Sequence, residues 1–191
     1  MTLLAGAGSR YRRRVLDFDP IEEARRNWIE HGWGDGSAMV AATSITRAHQ
    51  ILLGRINAEL AEHGLTFSRF EVLALLYFSR ARALPLGKIG TRLQVHPTSV
   101  TSLVDRLVDD GLVARRPHPT DRRTTLAELT DDGAELARIC ATRLEEIGFG
   151  LDGLDAAAQQ RVTEAITTLR AASGDWTPSD RRPDSAPHTD A

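Results

Sequence analysis

Between Leu86 and Leu129 the spacing of apolar residues changes period once, and that change confines the fold more than any other feature of the chain. From Pro97 to Asp110, Val100, Leu103, Val104, Leu107 and Val108 fall at i, i+3, i+4, i+7 and i+8, a single apolar stripe on an α-helix. Pro97 suits the first helical position, where its missing N–H costs nothing, and Gly111 suits the C-terminal end. After Gly111 the period becomes two, so Leu112–Arg116 and Thr124–Leu129 read as paired strands around a polar tip, Pro117–Arg123. Ahead of the long helix, Leu86–Leu93 reads as a short helix with Leu86, Ile89 and Leu93 inward, and Gln94-Val95-His96 as a tight turn. A short helix, a three-residue turn, a one-faced helix and a hairpin together spell a winged helix-turn-helix.

The flanks are helical. Pro20 opens a short helix, Ile21–Trp28, which ends in Gly32-Trp33-Gly34-Asp35-Gly36. Ser37 suits the N-cap of a long helix to about Glu62, with Ile45, Ala48, Leu52, Ile56 and Leu60 at helical spacing and Gly64 as its stop. Ser68 is expected to cap the next helix, with Val72, Leu75, Leu76 and Phe78 inward, before a loop containing Pro85. Thr130 caps a helix running past Cys140 to about Ile147, with Asp131 and Asp132 complementing its dipole. After a break at Leu151–Leu154, Asp155 caps a last helix holding Val162, Ile166 and Leu169. Residues 1–18, glycine-rich and then basic, read as a flexible arm, and residues 173–191 as a disordered tail too poor in apolar groups to fold.

Charge singles out the same middle segment. Ser68–Arg123 holds ten Lys/Arg against five Asp/Glu, net +5, inside a chain whose formal net charge is −2. That is the footprint expected for a polyanion. The helix from Pro97 offers Thr98, Ser99, Thr101 and Ser102 on its polar face, short donors that let backbone approach phosphates, and Arg106 further along it can reach a base edge or a phosphate. The hairpin tip adds Arg122 and Arg123, suited to a narrow minor groove. With His96, Pro97, Arg115, Arg116, His118 and Asp121, these form the candidate DNA-contacting set.

Other chemistries find little footing. No nucleophile–base pair, paired carboxylates or glycine-rich phosphate loop supports an enzyme or a bound cofactor. The six histidines show no i, i+4 pair, so no metal site is expected. The single cysteine, Cys140, lies mid-helix among Leu136, Ile139 and Leu144 and reads as a packed thiol rather than a redox sensor. With 41% hydrophobic and 26% charged residues, no apolar run of membrane length and no secretory pattern, a cytoplasmic protein is expected. The rival to a DNA-binding regulator is a helical dimerisation or adaptor protein with a degenerate winged helix, against which the basic hairpin argues.

Residues 37–172 resemble the MarR family of ligand-responsive bacterial transcription regulators. The resemblance is carried by Leu86-Gly87-Lys88-Ile89-Gly90-Thr91-Arg92-Leu93, Thr98–Leu107, Gly111-Leu112-Val113, Asp121-Arg122-Arg123 and Leu129-Thr130-Asp131-Asp132-Gly133. It implies a mainly α homodimer: residues 66–130 as the DNA-binding head, and 19–65 with 131–172 as dimerisation helices. It also implies a pseudo-palindromic duplex as partner, a recognition helix in the major groove, and a wing in which Asp121 orients Arg123 while Arg122 inserts. The usual role is repression relieved by a small molecule bound between the dimer layer and the head. The extra N-terminal helix with Trp28 resembles the urate-responsive branch, in which Glu71 matches an acid of the ligand pocket. That branch's recognition-helix Arg falls on Leu103, so a different anionic metabolite is expected. Trp28, His49 and Glu71 are the candidate effector residues; packing at the dimer interface is the other reading of Trp28 and Trp33.

Overall fold

The computed structural model describes residues 16–121 and 123–176. Two compact units divide the chain, one up to Gln50 and one from Ile51 onward. Among the described residues no helix is long and apolar enough to cross a membrane.

The first unit holds α1 (Pro20–Glu30) and the opening turns of α2 (Ser37–Leu60). Asp19 caps α1 by accepting the Ile21 N–H at 2.9 Å. The expected cap of α2, Ser37, is instead its first residue: Asp35 Oδ1 accepts both the Ser37 N–H and its hydroxyl at 3.0 Å. These two bonds, backbone first, hold the Asp35 carboxyl below its ordinary range.

The second unit runs from the end of α2 through α3 (Phe67–Tyr77), β1 (Ala83–Pro85), α4 (Leu86–Leu93), α5 (Pro97–Asp109), β2 (Val113–Pro117), β3 (Thr125–Leu129), α6 (Asp131–Glu146) and α7 (Ala156–Ala172). Thr66, not Ser68, caps α3, accepting the Arg69 N–H at 3.4 Å. A start two residues earlier sets the phase: Phe70, Leu73 and Leu76 recur every third residue with Val72 beside them, and all four are buried. Leu75 is half-buried and packs against the core as expected, whereas Phe78, past the helix end, is 80% exposed, against the expectation. The core of α3 packs against α5, α6 and β3, with Ile89, Val100, Val104, Leu107 and Cys140 closed from solvent.

The sheet has three strands rather than a hairpin's two, in the order β1-β3-β2, all antiparallel. Ala83, Leu84 and Pro85 pair with Glu128, Ala127 and Leu126. Pro85 is tolerated because β1 is an edge strand, where no N–H is owed to a further neighbour. Gly133, in the first turn of α6, marks a contact no side chain would fit: a Cβ there would stand 2.1 Å from the Leu112 carbonyl oxygen. Thr130 caps α6 at the Gly133 N–H (3.0 Å) and also donates its hydroxyl to the Gly111 carbonyl (2.9 Å), tying the helix to the root of β2. Asp155 caps α7 at the Ala158 N–H, 2.7 Å. Along α7 no residue is buried, and Val162 and Leu169 are about half exposed. Ser173–Trp176, the beginning of the expected tail, are ordered as a turn; residues 1–15 and 177–191, most of the arm and tail, lie outside the described residues.

Candidate nucleic-acid interface

The two helices of the helix-turn-helix meet at Gly90. A Cβ there would stand 3.1 Å from the Val95 carbonyl and 3.2 Å from a Val100 methyl, so the small residue sets how closely α4 and α5 approach. Gln94 ends α4 in the left-handed conformation (φ 53°, ψ 41°), and the Val95 N–H reaches back to the Gly90 carbonyl at 3.0 Å. His96 then caps α5: its Nδ1 accepts the Thr98 N–H at 3.3 Å.

Burial on α5 is one-sided. Val100, Val104 and Leu107 are buried, whereas Pro97, Thr98, Ser99, Thr101, Ser102, Asp105 and Arg106 are exposed. Thr101 turns its hydroxyl to the Pro97 carbonyl at 3.1 Å. Thr98, Ser99, Ser102 and Arg106 line a shallow groove whose other wall is Thr66, Ser68 and Arg69, from the start of α3. Those three residues escape the sequence reading, because they precede α4 by about twenty positions and only the tertiary fold brings them alongside α5. Arg69 also braces the far end of that helix. It donates to Asp110 Oδ2 at 2.8 Å and to the Gly64 carbonyl, pinning the C-terminal end of α5.

In the wing, the expected cations divide into two groups. Arg115 pairs with Asp105 of α5 at 2.6 Å, and Arg116 with Glu128 on the neighbouring strand. Exposed pairs like these contribute little to stability, but the first joins β2 to α5. At the tip, His118 Nδ1 accepts the Asp121 N–H at 3.2 Å and the Thr120 N–H at 3.4 Å. Asp121 accepts the Thr124 hydroxyl at 2.6 Å and the Arg123 backbone N–H at 3.0 Å, bonds that lower its pKa in that order. It therefore shapes the turn through the Arg123 backbone and the Thr124 hydroxyl. Arg122 lies outside the described residues.

The candidate effector residues fall in different units. Trp28, in the first, donates its indole N–H to the Trp33 carbonyl at 3.0 Å and meets the Trp33 ring edge-to-face at 5.1 Å. His49, on α2, is exposed. Glu71, in the second unit, borders a polar cavity with Thr91, Gln94 and Arg170, and partial burial raises its pKa. Cys140 is fully buried, and burial pushes its thiol pKa up, consistent with packing rather than sensing.

A family model described as MarR family matches residues 65–125, the head. Sco5413, a MarR family transcriptional regulator from Streptomyces coelicolor, superposes with a TM-score of 0.69 at 48% identity, over 74% of this chain and 98% of that one. The HTH-type transcriptional regulator MhqR of Bacillus subtilis is 36% identical over 92 residues, 48% of this chain and 62% of the relative. The match to another relative of that organism, the HTH-type transcriptional repressor MdtR, is 34% over 101 residues, 51% of this chain and 64% of the relative. The chain thus spans a little under two thirds of the length of the curated relatives it matches. A mutant MarR from E. coli, complexed with operator DNA, shares the fold, with a TM-score of 0.63 at 23% identity over 70% of this chain and 96% of that one. A winged helix-turn-helix in which α4, α5 and the three-stranded wing share one core, together with 48% identity across nearly the whole of a MarR family regulator, places the chain in the MarR family of transcriptional regulators, to which it belongs.

Proposed function

We propose that this protein is a cytoplasmic, non-catalytic, sequence-specific DNA-binding repressor that acts as a homodimer on a pseudo-palindromic operator and is released by a small anionic molecule. The observation that carries the reading is the exposed polar face of α5. Thr98, Ser99, Thr101, Ser102 and Arg106 stand clear of the core, the first four at the N-terminal end of the helix, where a major-groove reader makes its base contacts, and Arg106 in its last turn. Arg122 and Arg123 at the wing tip supply minor-groove contacts. The dimer is supported by α7, where no residue is buried and the apolar Val162 and Leu169 remain about half exposed within the described chain. Half-sites then lie about 10 bp apart. The effector reading assigns Trp28, His49 and Glu71 to ligand binding. Such a ligand acts by favouring one spacing of the two heads over another, with a coupling of about 1–3 kcal/mol, or roughly 5- to 150-fold in DNA affinity.

The test is a mobility shift on random duplex at several salt concentrations, followed by selection of bound sites from genomic fragments. Salt-dependent binding that resolves into palindromic sites supports the reading. No binding at low salt, or a monomer by light scattering at micromolar concentration, overturns it. For the effector, Trp28→Ala should blunt release while leaving DNA binding intact; a normal response overturns the pocket assignment alone.

A further inference from the structure

Beyond α7 the chain turns back on itself and reaches the helix-turn-helix. Gly174 (φ 71°) reverses the direction, and its N–H bonds the Ala171 carbonyl at 3.1 Å. The Asp175 carboxylate then accepts the Arg170 Nε–H at 2.7 Å and the Gln94 Nε2–H, while its own N–H donates to the Arg170 carbonyl at 3.1 Å. Trp176 lies 5.1 Å from the Arg170 guanidinium, ring against cation. With Arg170 and Gln94 on its carboxylate, the Asp175 side chain is only 12% exposed, although it lies near the end of the described chain. The same residues wall a polar cavity of about 420 Å³, into which Glu71, Thr91 and Arg92 also face.

Gln94 occupies a position where a side chain is a cost. At φ 53° a glycine, or an asparagine, sits with less strain. What glutamine brings to that turn is a carboxamide long enough to meet Asp175. We propose that Asp175 is a positioning residue for DNA reading: acting through Gln94, it ties the turn between α4 and α5 to the C-terminal end of α7 and so holds the recognition helix in its reading orientation. The proposal rests on the DNA-binding function above. It adds that the last helix is connected to the reading head by a charge-assisted bond at the turn itself, in addition to the covalent path through the wing. The charged groups around that bond are Arg170, Glu71 and Arg92, so the tie is electrostatically balanced rather than a lone buried acid.

The test uses the full chain with Asp175→Ala, Gln94→Gly and the double variant. Three readouts are needed: anisotropy with a labelled duplex at fixed salt, amide exchange over residues 86–96, and thermal unfolding. Gln94→Gly relieves the left-handed strain, so it should melt no lower than the parent, which a merely structural role for the contact would not allow. Each single variant should speed exchange over residues 86–96 and weaken the duplex complex by at least about five-fold, the scale of one or two net hydrogen bonds per dimer. The double variant should be no weaker than the worse single one, because both break the same bond. Asp175→Ala with parental exchange and affinity overturns the tie. So does weakened affinity with unchanged exchange. A parent that binds no duplex overturns the DNA-binding reading and with it the positioning role, while the exchange comparison still decides whether the tie exists.

Discussion

Gly133→Ala puts the wing root under a load whose size follows from the geometry. The added methyl would stand 2.1 Å from the Leu112 carbonyl oxygen and 3.0 Å from Leu129 Cδ1, and a backbone carbonyl cannot swing aside like a flexible side chain. The start of α6 must therefore move away from β2 until the first distance reaches at least 3.0 Å. Overpacking of this kind costs about 1–3 kcal/mol. The Leu112 carbonyl also accepts the Thr130 N–H at 3.2 Å, a bond worth about 1 kcal/mol that the movement stretches. Alanine returns roughly 0.5–1 kcal/mol of helix propensity. The expected net loss is about 1–3.5 kcal/mol, a large part of a total stability of about 5–15 kcal/mol. Gly87→Ala is the matched control: it makes the same exchange in α4, with nothing within 4 Å of the new methyl, and should stabilise by up to about 1 kcal/mol. Urea unfolding of both variants, at one protomer concentration, reads the difference. A Gly133→Ala protein within about 0.5 kcal/mol of the parent, or less destabilised than its control, would refute the reasoning, because ordinary surface changes stay inside that range.

Three further outcomes are expected. Arg122→Ala should lower affinity for all duplexes by a similar factor and reduce the slope of log affinity against log salt by about one unit for each wing; an unchanged slope counts against the wing's role. Asp121, whose carboxylate is favoured by Thr124 and Arg123, contributes order to the wing tip that is fully present above the ordinary carboxylate pKa of about 4 and is lost as pH falls through its lowered value. The Asp121 carboxyl-carbon resonance should thus titrate with a midpoint below the ordinary carboxylate value; a midpoint above about 4 would contradict the bonds described. Cys140 should resist an aromatic disulfide reagent in the native protein and react fully in denaturant, whereas rapid native labelling would show that α6 opens.

Most of the reading head was legible because local rules set it. The stripe Val100–Val104–Leu107 is buried as its spacing requires, and Thr130 and Asp155 cap the helices they precede. Local rules failed where two candidates stood side by side: Thr66 and Ser68 both suit a cap, and only the packing of Phe70 and Leu73 decides between them. They failed again for β1, whose three residues are too few to show a period and include a proline. Among the site residues, the polar face of α5 could be read from the chain. The pairing of Arg115 with Asp105, and the joining of Ser68 and Arg69 to that face, depend on contacts across ten to forty positions that no local pattern encodes.

The strand order has a mechanical consequence. Because β3 is clamped on both edges, by β2 from the wing and by β1, whose last residue Pro85 passes directly into α4, a pull on the wing is borne by the same seam that launches the helix-turn-helix. A tug at the hairpin cannot lengthen the lever between wing and recognition helix without shearing Leu84 and Pro85 from Ala127 and Leu126. On the dimeric reading proposed above, the gauge between wing and α5 is set within each protomer, and grip is adjusted by carrying whole heads nearer or farther, as a caliper moves its jaws without bending them.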